Sequence, residues 1–172
     1  MQRRWTLALV AAAALTGSAL AGLLAVGDVV PDAALTMADG KTRKLSSWED
    51  RTVVLFFYGT WSKRAAADLE AVAALRKGRT SQPLTLVGIA RDAKPDEVRK
   101  FAADQKLDFP QAADPKGELY GRFAEKGLPW LAVLDAKRKL RWSAAGVQAE
   151  DVDAVLTEIL GAPEKPQDGG AK

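Results

Sequence analysis

Ser62 is the side chain best placed for nucleophilic chemistry in this chain. It lies in Gly59-Thr60-Trp61-Ser62-Lys63-Arg64-Ala65, between the apolar run Thr52–Tyr58 and the segment Ala65–Lys77, whose apolar residues recur at helical spacing. A strand-to-helix junction suits a reactive thiolate, because helix N-terminal N–H groups stabilise the anion. The chain, however, has no cysteine. A serine hydroxyl in that place needs a base within hydrogen-bond reach. There is no histidine, and Lys63 is a sequence neighbour, which on a helix points elsewhere. The spacing instead predicts Ser62 as the N-cap of a helix running to about Lys77 and stopped by Gly78. Lys63 and Arg64 then fall in the first turn, where the helix dipole disfavours cations by a few tenths of a kcal/mol. They read either as solvated charge or as cations that, with free N–H groups, receive a partner's carboxylate.

Having neither Cys nor His excludes much else. Disulfides, thiol nucleophiles and a lipid-bearing N-terminal cysteine are ruled out. So are zinc sites of the Cys/His type and a Ser-His-Asp triad. A metal would have to bind carboxylates and carbonyls, and no clustered Asp/Glu loop is visible, so no cofactor or metal is expected. The formal charge is +3, from 25 basic and 22 acidic residues, but Arg3 and Arg4 stand ahead of the folded part, which is therefore close to neutral. Nucleic-acid binding, which needs a concentrated basic face, is not expected.

Met1–Arg4 is short and basic and is followed by the apolar run Trp5–Val26. That pattern predicts export. Ala19-Leu20-Ala21 fits small-x-small cleavage, making 1–21 a signal peptide. The same run, to about residue 26, is long enough to be an uncleaved membrane anchor with Arg3 and Arg4 on the cytoplasmic side. Either way the folded domain lies outside the cytoplasm, in the periplasm or elsewhere in the cell envelope.

These residues must be held by a recognisable set of elements. Asp39-Gly40 predicts a hairpin turn. Ser46 or Ser47 is expected to cap a short helical turn at Ser47–Asp50. Thr52–Tyr58 and Leu84–Ala90 are continuous apolar runs that suit strands buried on both faces. Lys94–Lys106 predicts a helix with Pro95 near its first position and acids in its first turn. Gly117–Gly127 is expected to be a shorter helix, and Pro129–Asp135 a strand whose hairpin partner is Lys137–Trp142. Ala149–Leu160 is the closing helix. Residues 161–172 read as a polar, Pro/Gly-rich disordered tail, which leaves 27–160 as one domain. The expected order is hairpin, β, α, β, α, α, β, β, α: a mixed sheet with helices on both faces and a parallel right-handed βαβ unit.

That order, with these motifs, resembles the thioredoxin fold, a three-layer α/β/α architecture, here with an N-terminal β-hairpin extension. Within it the chain resembles the exported TlpA-type, or redoxin (AhpC/TSA-like), thiol-disulfide proteins over Gly27–Leu160. The similarity is carried by Gly27-Asp28, Pro31-Asp32, the Asp39-Gly40 turn, Leu45-Ser46 and the run into Gly59-Thr60-Trp61. It continues in Asp114-Pro115-Lys116-Gly117 and Gly127-Leu128-Pro129. The family motif is Trp-Cys-x-x-Cys. Here Trp61 is kept, Ser62 stands at the first cysteine and Ala65 at the second, with Lys63 and Arg64 between. In the peroxiredoxin branch a Thr-x-x-Cys occupies the same place, and Ala65 removes that cysteine too. Asp68 stands where the family usually has Glu, and Glu70 where a helix-kinking Pro is common.

The resemblance implies a cis-proline at Pro129 and, beside it, backbone that pairs with an extended polypeptide. That surface does not depend on sulfur. Trp130 takes a position often held by a small residue; it either joins Trp61 beside one groove or packs inward as an ordinary strand residue. Dithiol exchange and peroxide reduction both need a thiolate, so autonomous oxidoreductase activity is expected to be absent. The leading expectation is an exported, redox-inactive protein binding a polypeptide partner through Trp61, Ser62, Lys63, Arg64, Leu128, Pro129 and Trp130. The alternative is an accessory to thiol-disulfide exchange or cytochrome c maturation, acting with a cysteine-bearing partner. A structural relic is the third reading.

Overall fold

The computed structural model describes residues 22–124 and 127–163. The leader expected over 1–21 and the tail from Glu164 onward lie outside the described residues. The centre of the fold is β3 (Thr52–Tyr58), in which all seven residues are buried. Strands that carry apolar groups on both sides must be covered on both faces, and this one is. Val53, Leu55 and Phe57 join one core cluster, while Val54, Phe56 and Tyr58 join another on the opposite face.

One seven-stranded mixed sheet results, in the order β2-β1-β5-β4-β3-β6-β7. The members are β1 (Ala34–Met37), β2 (Thr42–Lys44), β3, β4 (Leu84–Ala90), β5 (Gln111–Ala113), β6 (Trp130–Leu134) and β7 (Leu140–Ala145). β3, β4 and β5 run parallel. β6 lies antiparallel on the other side of β3, with Phe57 opposite Trp130. The hairpin β1–β2 adds to β5 as the N-terminal extension. The isolated bridge between Val29 and Lys139 covers the start of β7, which protects part of an edge that would otherwise be open.

α1 (Ala65–Ala74), α2 (Pro95–Asp104) and α3 (Ala149–Leu160) pack on the Phe56 face, through Leu69 and Val72, Val98, and Val152 and Leu156 respectively. The Phe57 face is covered by the N-terminal segment and two 3-10 turns, Leu45–Trp48 and Tyr120–Arg122. Phe57 meets Tyr120 edge-on at 5.7 Å and Phe123 at 5.3 Å. The third layer is thus irregular backbone holding large rings.

Several expectations from sequence are corrected here. The turn at Leu45–Trp48 has no side-chain cap. Ser46 Oγ instead donates to Asp32, and Ser47 Oγ to the Lys44 carbonyl. Among the described residues, the α-helix expected over Gly117–Gly127 is only the 3-10 turn Tyr120–Arg122, ahead of which the buried Asp114 carboxylate accepts the N–H groups of Glu118, Leu119 and Tyr120. With Gly117 at positive φ and Gly121 within the segment, little favours propagation. β7 begins at Leu140 rather than Lys137, because residues 135–138 form the turn, with Arg138 at positive φ. The short strand β5 carried too few residues to register as a period and is additional to the expected order. Helix α1 also begins later than expected, as described next.

Candidate functional site

Open α/β sheets leave a crevice at the carboxyl ends of the parallel strands, at the point where strand order reverses. Here β4 and β5 lie to one side of β3 and β6 to the other. The crevice is therefore bordered by Gly59–Arg64 after β3, Arg91-Asp92 after β4 and Leu128–Trp130 before β6.

Two consecutive turns carry the chain out of β3: Ser62 N–H donates to the Gly59 carbonyl, and Ala65 N–H to the Ser62 carbonyl. Helix α1 starts only at Ala65, with Arg64 as its N-cap. Ser62 is therefore not the helix N-cap; its Oγ accepts the Arg64 N–H at 3.3 Å and braces the turn instead. Past Ala74 the chain continues in i→i−3 turns to Arg79, with Gly78 at φ 70° in the last of them. Ser62 is half-buried, whereas Ala65 is only 2% exposed.

Trp61 is the most solvent-exposed large apolar side chain of the described residues, at 71%. Its indole lies over Gly59: a Cβ at that glycine would come within 2.6 Å of Trp61 Nε1. Gly59 thus clears the space in which the ring reclines, leaving the other ring face to solvent. Lys63 is exposed, and Arg64 reaches back to the nearly buried Asp68 at 3.7 Å. Of the two cations, only Arg64 has a carboxylate partner among the described residues.

The Leu128–Pro129 peptide bond is cis, as the resemblance implied. The Pro129 carbonyl accepts the Gly146 N–H at 2.8 Å. Neither the N–H nor the C=O of Leu128 finds a backbone partner among the described residues. Trp130 follows the inward alternative: it packs half-buried with the Phe57 cluster, and its Nε1–H donates to Ser143 Oγ at 2.6 Å. No ring contact joins it to Trp61. Leu128 packs against the same cluster.

Other residues at this end of the sheet were not singled out from sequence. The Arg91 guanidinium sits 5.1 Å from the centroid of the Tyr120 ring, above Gly117. Tyr120 Oη donates to the Gly127 carbonyl at 2.6 Å, which fixes the approach to Leu128. Burial raises the Tyr120 phenol above its ordinary range, against the opposing charge of Arg91. Tyr58, the last residue of β3, donates to Gln111 Oε1 at 3.0 Å beneath α2; burial, and then Asp92, push its phenol well up. Asp114 could have been found from sequence, since Asp-Pro-x-Gly ahead of an apolar run is a turn whose side chain hydrogen-bonds local backbone. Among the described residues no group of three acidic side chains is placed to hold a metal ion.

What this arrangement can do chemically is limited. It presents one exposed indole, one unpaired stretch of backbone and cations, and no group that can form a covalent bond with sulfur.

Comparison with known proteins agrees with the scaffold. The chain is 25% identical to thiol-disulfide oxidoreductase ResA of Geobacillus thermodenitrificans over 137 residues, 79% of each chain. A DsbE-type thiol:disulfide interchange protein from Chlorobium tepidum superposes with a TM-score of 0.70 at 28% identity, covering 80% of this chain and 99% of that one. Peroxidoxin BcpB of Mycobacterium tuberculosis superposes with a TM-score of 0.69 at 25% identity, covering 78% and 97%. These neighbours share the thioredoxin-like fold. The AhpC/TSA family model matches residues 26–143, and the chain, although it carries none of the family's cysteines, belongs to the AhpC/TSA family.

Proposed function

We propose that this protein is an exported member of its family that binds an extended polypeptide in the cell envelope and carries out no thiol chemistry of its own. One observation carries the reading. The crevice presents an exposed Trp61 over Gly59 and, before cis-Pro129, a Leu128 backbone with no backbone partner among the described residues, while Ser62 and Ala65 stand at both sulfur positions. An unpaired extended segment can accept a strand from another chain, and an adjacent indole supplies the apolar anchor that such weak pairing needs. Trp130 enters as support for the Leu128 backbone, because its own indole is committed to Ser143 and the core.

The test is site-specific photo-crosslinking in the native cell, with the probe at Lys63 beside the indole and a control probe at Lys100 on α2. A discrete partner captured only from Lys63, and lost at least about tenfold on Trp61→Ala, is the expected result. Equal capture from both positions, or capture indifferent to Trp61→Ala in a folded protein, overturns the reading. Similarity to the thiol-disulfide oxidoreductase ResA supports a second reading, that the captured partner is itself a cysteine-bearing oxidoreductase. Identifying the partner separates the two.

A further inference from the structure

Among the described residues, the exposed large apolar side chains other than Trp61 are Leu23, Val26 and Val29, and all three fall on the N-terminal segment. This segment is part of the domain. Leu24 N–H donates to the Arg122 carbonyl at 2.7 Å, Gly27 N–H to the Leu140 carbonyl at 2.8 Å, and Val29 bridges Lys139. The apolar residues therefore border Arg122 and the turn between β6 and β7, which carries Lys137 and Lys139. No carboxylate among the described residues pairs with Arg122, Lys137 or Lys139. The nearby acids are engaged: Asp32 with Ser46 and Arg138, Asp135 with the backbone of Lys137 and Lys139 and with Arg141, and Asp28 with the Ala25 N–H. The patch is apolar and rimmed by unpaired cations.

What precedes it in the chain is the apolar run that opens at Trp5. Trp5–Leu23 is an uninterrupted run without an acidic or basic residue, about as long as the ~20 apolar residues that crossing a bilayer's hydrocarbon core takes. The domain is already tied down at Leu24, so a span ending there leaves no linker. From this we infer that the domain lies directly on an anionic bilayer, with Val26 and Val29 in the interface and Arg122, Lys137 and Lys139 against lipid phosphates. This inference rests on the envelope reading above and on the run being retained as an anchor. Apolar side chains enter the interfacial zone favourably, and each cation near an anionic surface adds attraction that salt screens. The geometry has a consequence for the site. Leu134, at the turn end of β6, pairs with Val53, whereas Trp130 pairs with Phe57. The Lys137/Lys139 turn and the Trp61 crevice therefore sit at opposite ends of the sheet, so lipid contact by the two lysines leaves the crevice open.

The absence of cysteine permits a clean test. Single variants Val26→Cys, Val29→Cys and Lys100→Cys of the full chain are labelled with an environment-sensitive dye and reconstituted into vesicles of equal phosphatidylglycerol and phosphatidylcholine. Flotation at high salt reports anchoring; quenching by brominated lipid reports contact. The expected result is flotation with quenching at positions 26 and 29 at least about threefold that at 100, reduced about twofold or more by Lys137→Glu/Lys139→Glu. Flotation with equal, weak quenching at all three positions overturns the docked face and leaves the anchor standing. Failure to float overturns the anchor and the docking with it. Quenching unchanged by the charge reversal overturns the role of the lysines.

Discussion

If only the sulfur atoms are missing, returning them should return the chemistry. Consider Ser62→Cys alone. Its thiolate would occupy the place of an Oγ that accepts the Arg64 N–H at 3.3 Å, just ahead of the first turn of α1. A hydrogen bond to the charged form, at the weak end because of that length, contributes about 1 kcal/mol. The helix dipole adds a few tenths more. Together they equal about one pKa unit, since one unit corresponds to about 1.4 kcal/mol. The thiol should therefore titrate near 7.5 instead of the ordinary 8.5 or so, and its thiolate fraction at neutral pH should rise from about 3% to about 24%. The rate of alkylation against pH measures this directly. With Ala65→Cys added, the turn closed by Ala65 N–H and the Ser62 carbonyl keeps the two Cα atoms within about 7 Å, inside the reach of a disulfide. Ala65 is 2% exposed and Ser62 half-buried, so an outside thiol or disulfide meets position 62 first. The double variant should lose two hydrogens under mild oxidant, by mass, and should catalyse reduction of insulin disulfides where the natural chain does not. A folded Ser62→Cys protein with a thiol at 8.5 or above refutes the electrostatic argument. A folded double variant that stays dithiol under oxidant refutes the claim that the frame is intact.

Three further predictions concern the scaffold. Gly88→Ala places a Cβ 2.1 Å from Gln111 Oε1 and must break the buried Tyr58–Gln111 hydrogen bond; it should cost about 2–4 kcal/mol by urea denaturation, with Gln111→Ala in the same chain recovering more than about 1 kcal/mol of it. Arg79→Met removes a fully buried guanidinium that donates to Gln82, Gly161, Asp153 and Thr157 and so ties the loop after α1 to the end of α3; a loss of about 2–4 kcal/mol is expected, and a loss below about 1 would show the network to be idle. Tyr58 and Tyr120 are the two tyrosines of the chain, and burial raises both above 10.0. Because the folded pKa values exceed the unfolded ones, stability is unaffected below about pH 10 and falls as pH climbs beyond it. The native protein should show less tyrosinate absorbance near pH 10 than the unfolded chain, which is about half ionised there; two tyrosines titrating normally in the folded protein would contradict the burial.

Regular elements were legible in the sequence where burial dictates a period. Thr52–Tyr58, Leu84–Ala90 and Ala149–Leu160 match the observed bounds, because a doubly buried strand or an amphipathic helix must repeat an apolar pattern along its length. Gln111–Ala113 forms a strand because β4 and β1 offer it hydrogen-bonding edges, not because three residues announce one. Tyr120–Arg122 is a single 3-10 turn because Gly117 at positive φ and Gly121 within the segment give an α-helix little support. Ser62 looked like an N-cap because Ser before an apolar helical run usually is one. The turn closing at Ala65 moves the helix start two residues on, from Lys63 to Ala65. For Gln111–Ala113 a neighbouring strand, and at Ser62 a backbone turn, engages groups that the local sequence pattern assigns elsewhere.

The same distinction bears on why the frame outlasts its sulfur. The groups that shape the crevice are held by interactions that a thiol at 62 or 65 does not enter. Gly59 makes room for the Trp61 ring, Asp114 gathers the N–H groups of the following turn, Tyr120 fixes Gly127, and Trp130 is pinned to Ser143. Ala65 fills a buried position where a small apolar side chain is as well accommodated as a thiol, and Ser62 keeps the Arg64 N–H satisfied. Losing both cysteines therefore removes reactivity without opening a cavity or leaving a buried donor unpaired, the two routes by which such changes usually become costly. Stability alone does not require an indole to lie exposed over Gly59, since exposed Trp surface gains nothing from folding. Trp61 is thus the large apolar residue at this site whose exposure the packing does not explain, and the proposed polypeptide contact rests on that exposure.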